Sequence, residues 1–428
     1  MINFHKFAQQ INVLMETIQP INLNSEIGKL KSVILHTPGN EVANMTPGNA
    51  EKALYSDILN LPISQNEHSH FEAVLSKVSK TYQLKNLLTD ILKNEEVKAN
   101  LIDNIYTDIS LKDIRNSLKK IDAITLSSKI IEGLEIQNNS LSNYLNKKRF
   151  TIQPLHNFFF MRDASVSIGN EVLISRMAAK VRQPETLIMN SIFKHHPNFK
   201  VNTINIEAND TLIEGGDVLI ARDDILLIGM GARSNAKGID SLIDYYKSQN
   251  IEKHFIIQEL PLTPESFIHL DMVFTLLDKD KCMVYEPVIL NSKGLKTIHI
   301  HVKDKKLIKI EDETNLIEAL NKLNMPLKTI SCGGIDSWNQ EREQWHSGAN
   351  FFSFAPGKIL GYARNIYTVE QLNNNGFEVI PAIDVINGNK HPDNYKKCIV
   401  TVDGSELARG GGGARCMTMP LNRDAVVW

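Results

Sequence analysis

Apolar positions along the chain fall into two textures. Between 72 and 148 they recur every three or four residues, as in Leu84, Leu87, Leu88, Ile91 and Leu92, which is helical spacing. No glycine occurs between Gly48 and Gly133, and no proline between Pro62 and Pro154, so the usual helix breakers are missing. Residues 72–148 therefore read as a set of helices, an insertion of its own whose charges form solvated faces. From 155 onward, short apolar runs alternate with turn signals, the pattern of β hairpins. Ala164–Ile168 and Glu171–Ser175 flank Gly169-Asn170. Val218–Ala221 and Ile225–Met230 flank Arg222-Asp223-Asp224. Met272–Leu277 and Cys282–Glu286 flank Asp278–Lys281. Asn350–Asn365, hinged at Pro356-Gly357, and Cys398–Leu421 have related texture. Thr186–Lys194 and Ile239–Gln249 predict helices between these units. Upstream, Ser25–His36 reads as a strand entering the turn Thr37–Asn40, and Glu51–Leu59 reads as a helix.

An acidic residue stands at the mouth of each of the first three hairpins: Asp163, Asp217 (with Glu214 just before it) and Asp271. They are evenly spaced, and a period near 50 residues suggests a repeat or propeller architecture. Loops at one end of such repeats converge, which would bring Asp163, Glu214, Asp217, His269, Asp271 and Cys416 together.

Composition narrows the field of functions. The 428 residues are 42% hydrophobic and 22% charged, with a net charge of -2, so no basic field attracts nucleic acid or an anionic membrane. No apolar run is long enough to cross a bilayer, and the first twenty or so residues lack the apolar core of a secretory signal. The four cysteines are scattered without a CxxC pair, which argues against structural zinc and a disulfide framework and for a reducing cytoplasm.

The candidate chemistry lies near the C-terminus. Gly410 to Gly413 precede Ala414-Arg415-Cys416. Four glycines suit a place where backbone must approach something closely. A phosphate cradle would need Lys-Ser or Lys-Thr and a helix next, and neither follows. Arg409 and Arg415 nearby would favour a thiolate, making Cys416 the candidate nucleophile. His269 has the proton affinity for a general acid/base, and Glu214 could orient its ring. Asp163 and Asp271 in a partly dry pocket call for a cation between them, and a planar guanidinium suits paired carboxylates. Arg182 and Arg233 then call for an anion. Free arginine is the simplest molecule with both ends. Thiolate attack on its central carbon, loss of ammonia and hydrolysis of an amidino-cysteine would give citrulline, with no metal or organic cofactor. Another guanidine substrate, amidinotransfer and an inactive arginine-binding protein are the alternatives. His299-Ile300-His301 reads as a solvent-facing strand without a third metal ligand; Glu67-His68-Ser69-His70 and His195-His196 are treated likewise, and Trp338 and Trp345 as packing residues.

Several stretches together resemble bacterial arginine deiminases of the guanidine-modifying (pentein) superfamily: Leu35–Gly39, Asn157–Ser165, Glu214–Asp217, His269–Phe274, Arg342–Trp345, Gly361–Asn365 and Ser405–Pro420. The resemblance implies a five-bladed, pseudo-symmetric α/β propeller with an all-helical insertion domain. The expected division is an N-terminal extension at 1–24, a catalytic propeller at 25–71 and 149–428, and the insertion at 72–148. It implies Cys416 as nucleophile, His269 as acid/base with Glu214, and Asp163 and Asp271 as guanidinium clamps. Asn157, Arg182 and Arg233 would hold the substrate carboxylate, with Phe160 beside the substrate. It also implies a homodimer or larger assembly. The chain departs from the family at Gly411, where Arg or Asn is common, and at Met161, where Thr is usual.

Overall fold

The computed structural model describes residues 21–47, 55, 57–137, 139–146, 148–199, 201–206, 209–291 and 294–428. Among them, five sheets share one construction: an antiparallel pair with a further strand added in parallel. Leu30–Leu35 runs antiparallel to Met419–Arg423 and parallel to Lys80–Gln83. Ser165–Ile168 and Glu171–Ile174 pair as a hairpin, and Thr203–Asn205 joins in parallel. Val218–Arg222, Ile225–Met230 and Lys253–Glu259 repeat the pattern, extended by Thr297–Lys303 and Lys306–Glu313. Phe274–Asp278 and Lys281–Val284 pair with Lys328–Ser331. Phe352–Ala355 and Lys358–Tyr362 pair with Cys398–Val402, which also takes Glu378–Pro381 in parallel.

A parallel partner requires a crossover, and helices supply it. Gln183–His195, Ala236–Ser248, Leu316–Lys322 and Ile366–Asn374 lie between hairpin and parallel strand. The three acid-bearing hairpins appear where the sequence places them. Their strands are buried almost throughout, because helices cover them as well as neighbouring sheets.

The Cys398–Leu421 unit is not a hairpin. Cys398–Val402 stays in the last sheet, while Met419–Arg423 joins the first. The reason is coverage: Val33, Ile34 and Leu35 are all fully buried, each worth about 2 kcal/mol when removed from water. They need partners on both edges, and Met419 and Leu421, also fully buried, provide one. The segment between crosses the molecule and carries Cys416.

The expected helices at 72–148 are present as Leu84–Leu92, Glu95–Ile105, Lys112–Leu118 and Ala123–Glu132. Two differences stand out. Lys80–Gln83 is a strand of the first sheet. The apolar faces of these helices also share a core with Phe158, Met161, Ile188, Phe193 and Met419 instead of closing on themselves. Of the helix expected at Glu51–Leu59, the described residues Tyr55 and Asp57–Leu59 are not helical; the rest of it, and most of the 1–24 extension, lie outside the described residues. Among the described residues, no helix is long and apolar enough to cross a membrane.

Candidate active site

The hairpin mouths and the glycine-rich segment meet at a cavity of ≈ 210 Å³. Cys416, His269, Asp163, Asn157, Phe160, Arg182 and Arg233 all line it. Asp271 and Glu214 stand behind this lining, each fully buried.

His269 is itself extended (φ -139°) and stands just before the short turn Leu270–Met272. Its ring lies on Gly216, where a Cβ would come within 2.5 Å of Nδ1, so the Glu214–Asp217 stretch needs glycine there. Glu214 Oε2 lies 3.0 Å from His269 Nε2, and Glu214 Oε1 accepts from the Ala178 amide. Burial pulls the imidazole down, but Asp163, the Glu214 hydrogen bond and Asp217 outweigh it and raise His269 to about 9. The ring is therefore a cation at neutral pH. Asp217 does not line the cavity. It accepts from Leu270 N and Ser234 Oγ and so fixes the turn carrying His269.

Each clamp aspartate has one oxygen held by a protein arginine. Arg182 Nη1 donates to Asp163 Oδ2 at 2.7 Å, and Arg415 Nη1 donates to Asp271 Oδ2 at 2.7 Å. The other oxygens are differently placed. Asp163 Oδ1 and His269 Nδ1, 3.6 Å apart, are both buried without a hydrogen-bond partner. Both Asp271 oxygens lie near Cys416 Sγ, Oδ1 at 4.0 Å and the arginine-held Oδ2 at 3.9 Å. Buried polar atoms without partners are uncommon. Here Asp163 Oδ1 is an acceptor that a donor-rich, planar cation could meet, while the protonated His269 Nδ1 is a donor.

Cys416 is not a resting thiolate. Burial, with Asp271 and Asp163 beside it, holds the thiol well above its ordinary range. Of the two arginines expected to activate it, Arg415 does favour the thiolate but is outweighed by burial and the two aspartates, and Arg409 is turned elsewhere. Arg409 pairs with Asp57 and Glu406, and Arg415 with Glu26 and Asp271. Arg182 likewise has its charge met by Asp163 and Glu185. Among the described residues, no carboxylate lies within ion-pairing distance of Arg233, which leaves it as the cavity's available cation.

Sequence reasoning missed the residues that hold the nucleophile segment. Asn350 Nδ2 lies 3.2 Å from Cys416 Sγ, and its Oδ1 accepts from the Arg415 amide at 2.8 Å. Glu67 accepts from Ser405 Oγ and from the Glu406 and Leu407 amides. The sequence signal for Asn350 was its place at the mouth of the fourth hairpin, where the first three carry acids. The two tryptophans are not packing residues: Trp338 is 79% exposed, and Trp345, at 45%, lines the cavity. Gly411 takes φ +85° with open space where a Cβ would lie, so no side chain covers the cavity at that family-variable position.

Among the described residues, three groups could hold a metal ion: Asp163, Glu214 and His269; Glu252, His254 and His301; and His299, Glu311 and Glu313. The first belongs to this cavity. The other two overturn the reading of His299 and His301 as a solvent-facing pair without further ligands, since His299 is 4% exposed and acids face both.

A buried cysteine, a histidine with a carboxylate partner and two half-occupied aspartates define a guanidine-modifying enzyme of α/β class. The arginine deiminase family pattern matches residues 51–423, and the chain belongs to the arginine deiminase family. It is 33% identical over 429 residues to an arginine deiminase of Bacillus cereus, covering 95% of this chain and 99% of that one. An arginine deiminase of Oenococcus oeni is 35% identical over 430 residues, with 95% and 98% covered. Among solved structures, the product-bound N-terminal domain of ArgZ, an arginine dihydrolase of cyanobacteria, is similar at TM-score 0.52 and 14% identity, over 92% of this chain and 97% of that one. DDAH from Pseudomonas aeruginosa, complexed with citrulline, is similar at TM-score 0.50 and 14% identity, over 92% and 99%. At that identity the structures speak for the shared α/β fold alone.

Proposed function

We propose that this protein hydrolyses the guanidinium group of free L-arginine, giving L-citrulline and ammonia through an amidino-cysteine intermediate. The observation that carries this reading is the pair of aspartates beside Cys416 and His269, each with one oxygen held by a protein arginine and the other not. A guanidinium laid between the free oxygens meets Asp163 Oδ1 on one side and Asp271 Oδ1 on the other, with its central carbon toward Sγ. Arg233 and Asn157 then receive the substrate carboxylate, Arg182 keeps Asp163 in place, and Phe160 lies alongside the substrate.

The resting charges suit the chemistry. The arriving cation offsets the two carboxylates that disfavour the thiolate, and the Cys416 proton leaves to water. Sγ attacks the guanidinium carbon, giving a tetrahedral adduct. His269, protonated at rest, gives its proton to one amino group, and the C–N bond breaks to release ammonia. The neutral ring then takes a proton from water as hydroxide adds to the amidino carbon. Collapse breaks the C–S bond, and a proton passes from the hydroxyl to the departing sulfur. Citrulline and the Cys416 thiol result.

The five sheets of like construction are read as five blades about a pseudo-fivefold axis, with the cavity at the end where the hairpin mouths meet. Residues 25–71 and 149–428 form this catalytic unit and 72–148 its helical insertion, Lys80–Gln83 excepted. Four unpaired thiols suit a reducing cytoplasm, and a homodimer or larger assembly follows the family. Agmatine is disfavoured because Arg233 would face no carboxylate. The test is a citrulline assay with arginine, agmatine and methylated arginine. Turnover of arginine dependent on Cys416 is expected. Preference for agmatine, or arginine binding without ammonia release, would overturn the reading.

A further inference from the structure

We infer that the strands Lys253–Glu259 and Thr297–Lys303, which contribute no residue to the cavity lining, carry a binding site for a divalent cation of the zinc class, formed by His254, His301 and Glu252. His254 and His301 stand directly opposite each other on the antiparallel strands Lys253–Glu259 and Thr297–Lys303. Opposed positions share one face of a sheet, and the two rings stack with centroids 4.1 Å apart and planes 17° apart. Glu252, just before its strand, brings Oε1 to 3.0 Å from His301 Nε2. One ligand atom from each of the three lies within 4.8 Å of the others. Tetrahedral zinc with nitrogen and oxygen ligands separates its donors by about 3.3 Å, which small side-chain rotations reach here.

A fourth ligand is at hand. His299 lies two residues before His301, hence on the same face, and its Nε2 is 2.9 Å from His254 Nδ1. Its other nitrogen is 3.5 Å from Glu313 Oε1, a buried atom with no hydrogen-bond partner. An imidazole whose far nitrogen faces a carboxylate has the arrangement of metal-ligating histidines. Lys303 is paired with Glu252 and Lys309 with Glu311, which offsets part of the positive charge these lysines bring near the site. None of these residues lines the arginine cavity. The ion would staple two strands of the folded sheet, and ligands that bind only the folded state raise its stability.

The test uses the full chain carrying Cys416→Ser, so that the cavity thiol takes no zinc. Chelator-stripped protein is equilibrated with zinc and analysed for bound metal by mass spectrometry and for melting by calorimetry. One zinc per chain and a higher Tm are expected, with affinity falling about hundredfold or more when His254→Asn and His301→Asn are added. In the chain with Cys416 intact, those two changes leave arginine turnover as it was. Zinc content and Tm response unchanged by the two substitutions would overturn the proposal and place the ion at Asp163, Glu214 and His269. A second readout needs no sheet variant: cobalt in the Cys416→Ser protein should show the visible spectrum of a tetrahedral nitrogen/oxygen site, and an octahedral spectrum would equally overturn it.

Discussion

Asn350 touches the Cys416 segment at three points: Nδ2 lies 3.2 Å from Sγ, while Oδ1 accepts from the Cys416 and Arg415 amides at 3.3 and 2.8 Å. A nucleophile held by one side chain depends on it for placement, and misplacement by about 1 Å can cost about 10²-fold. Asn350→Ala should therefore lower kcat on the order of a hundredfold, with a smaller change in KM. Steady-state citrulline kinetics decide it; an unchanged kcat would show that the loop holds itself.

Cys416→Ser should abolish citrulline formation while arginine still binds, because Asp163, Asp271 and Arg233 remain. Calorimetric titration measures the binding arm. Turnover that survives this substitution would remove the covalent route.

His269 is raised from 6.5 to about 9. Below that value it carries the proton that ammonia needs on leaving, so kcat should fall as pH rises through about 9. The same shift adds stability that is fully present below the unfolded value of 6.5 and is lost as pH climbs through about 9. His269→Asn should remove both the activity and this alkaline slope in a pH series of denaturant midpoints. An identical slope in the variant would assign it to another group.

Arg233 lines the cavity, and among the described residues no carboxylate lies within ion-pairing distance of it, so its charge is available to the substrate. A hydrogen bond to a charged group contributes about 1.5–3 kcal/mol, which is about 10- to 150-fold. Arg233→Ala should raise KM for arginine by that range and narrow the preference over agmatine. An equal loss for both substrates would place Arg233 away from the carboxylate.

Glu26 is buried against Arg415, with Arg162 and Arg423 near. Burial raises its carboxyl, but the three guanidinium groups outweigh it and lower it from 4.5 to about 2. Its contribution is present above pH 4.5 and is lost as pH falls through about 2. Glu26→Gln leaves buried cations uncompensated and should cost about 3–5 kcal/mol, read from urea unfolding at neutral pH. A cost below 1 kcal/mol would mean that water already screens the arginines.

The hairpins, the helices between 84 and 132 and the equal spacing of the acids were legible because they are local. Alternating apolar runs around Gly169-Asn170 or Asp223-Asp224 leave few other conformations, and helical periodicity in a segment without glycine or proline leaves few more. Partner choice was not legible. Nothing in Ser405–Cys416 says that Arg415 reaches Glu26, or that Glu67 holds the amides of Glu406 and Leu407, since these bonds join residues more than 300 positions apart.

From the amino-acid order alone came the reaction class: which residue types are present, and that a repeat could bring their loops together. Charge states were decided by tertiary structure. Cys416 looked activated beside two arginines, yet folding paired both with carboxylates, and burial with Asp271 and Asp163 around the sulfur outweighs what Arg415 still contributes. Sequence neighbours share a chain but not a direction, and electrostatic energy depends on distance and burial, which exist only once the sheets have packed.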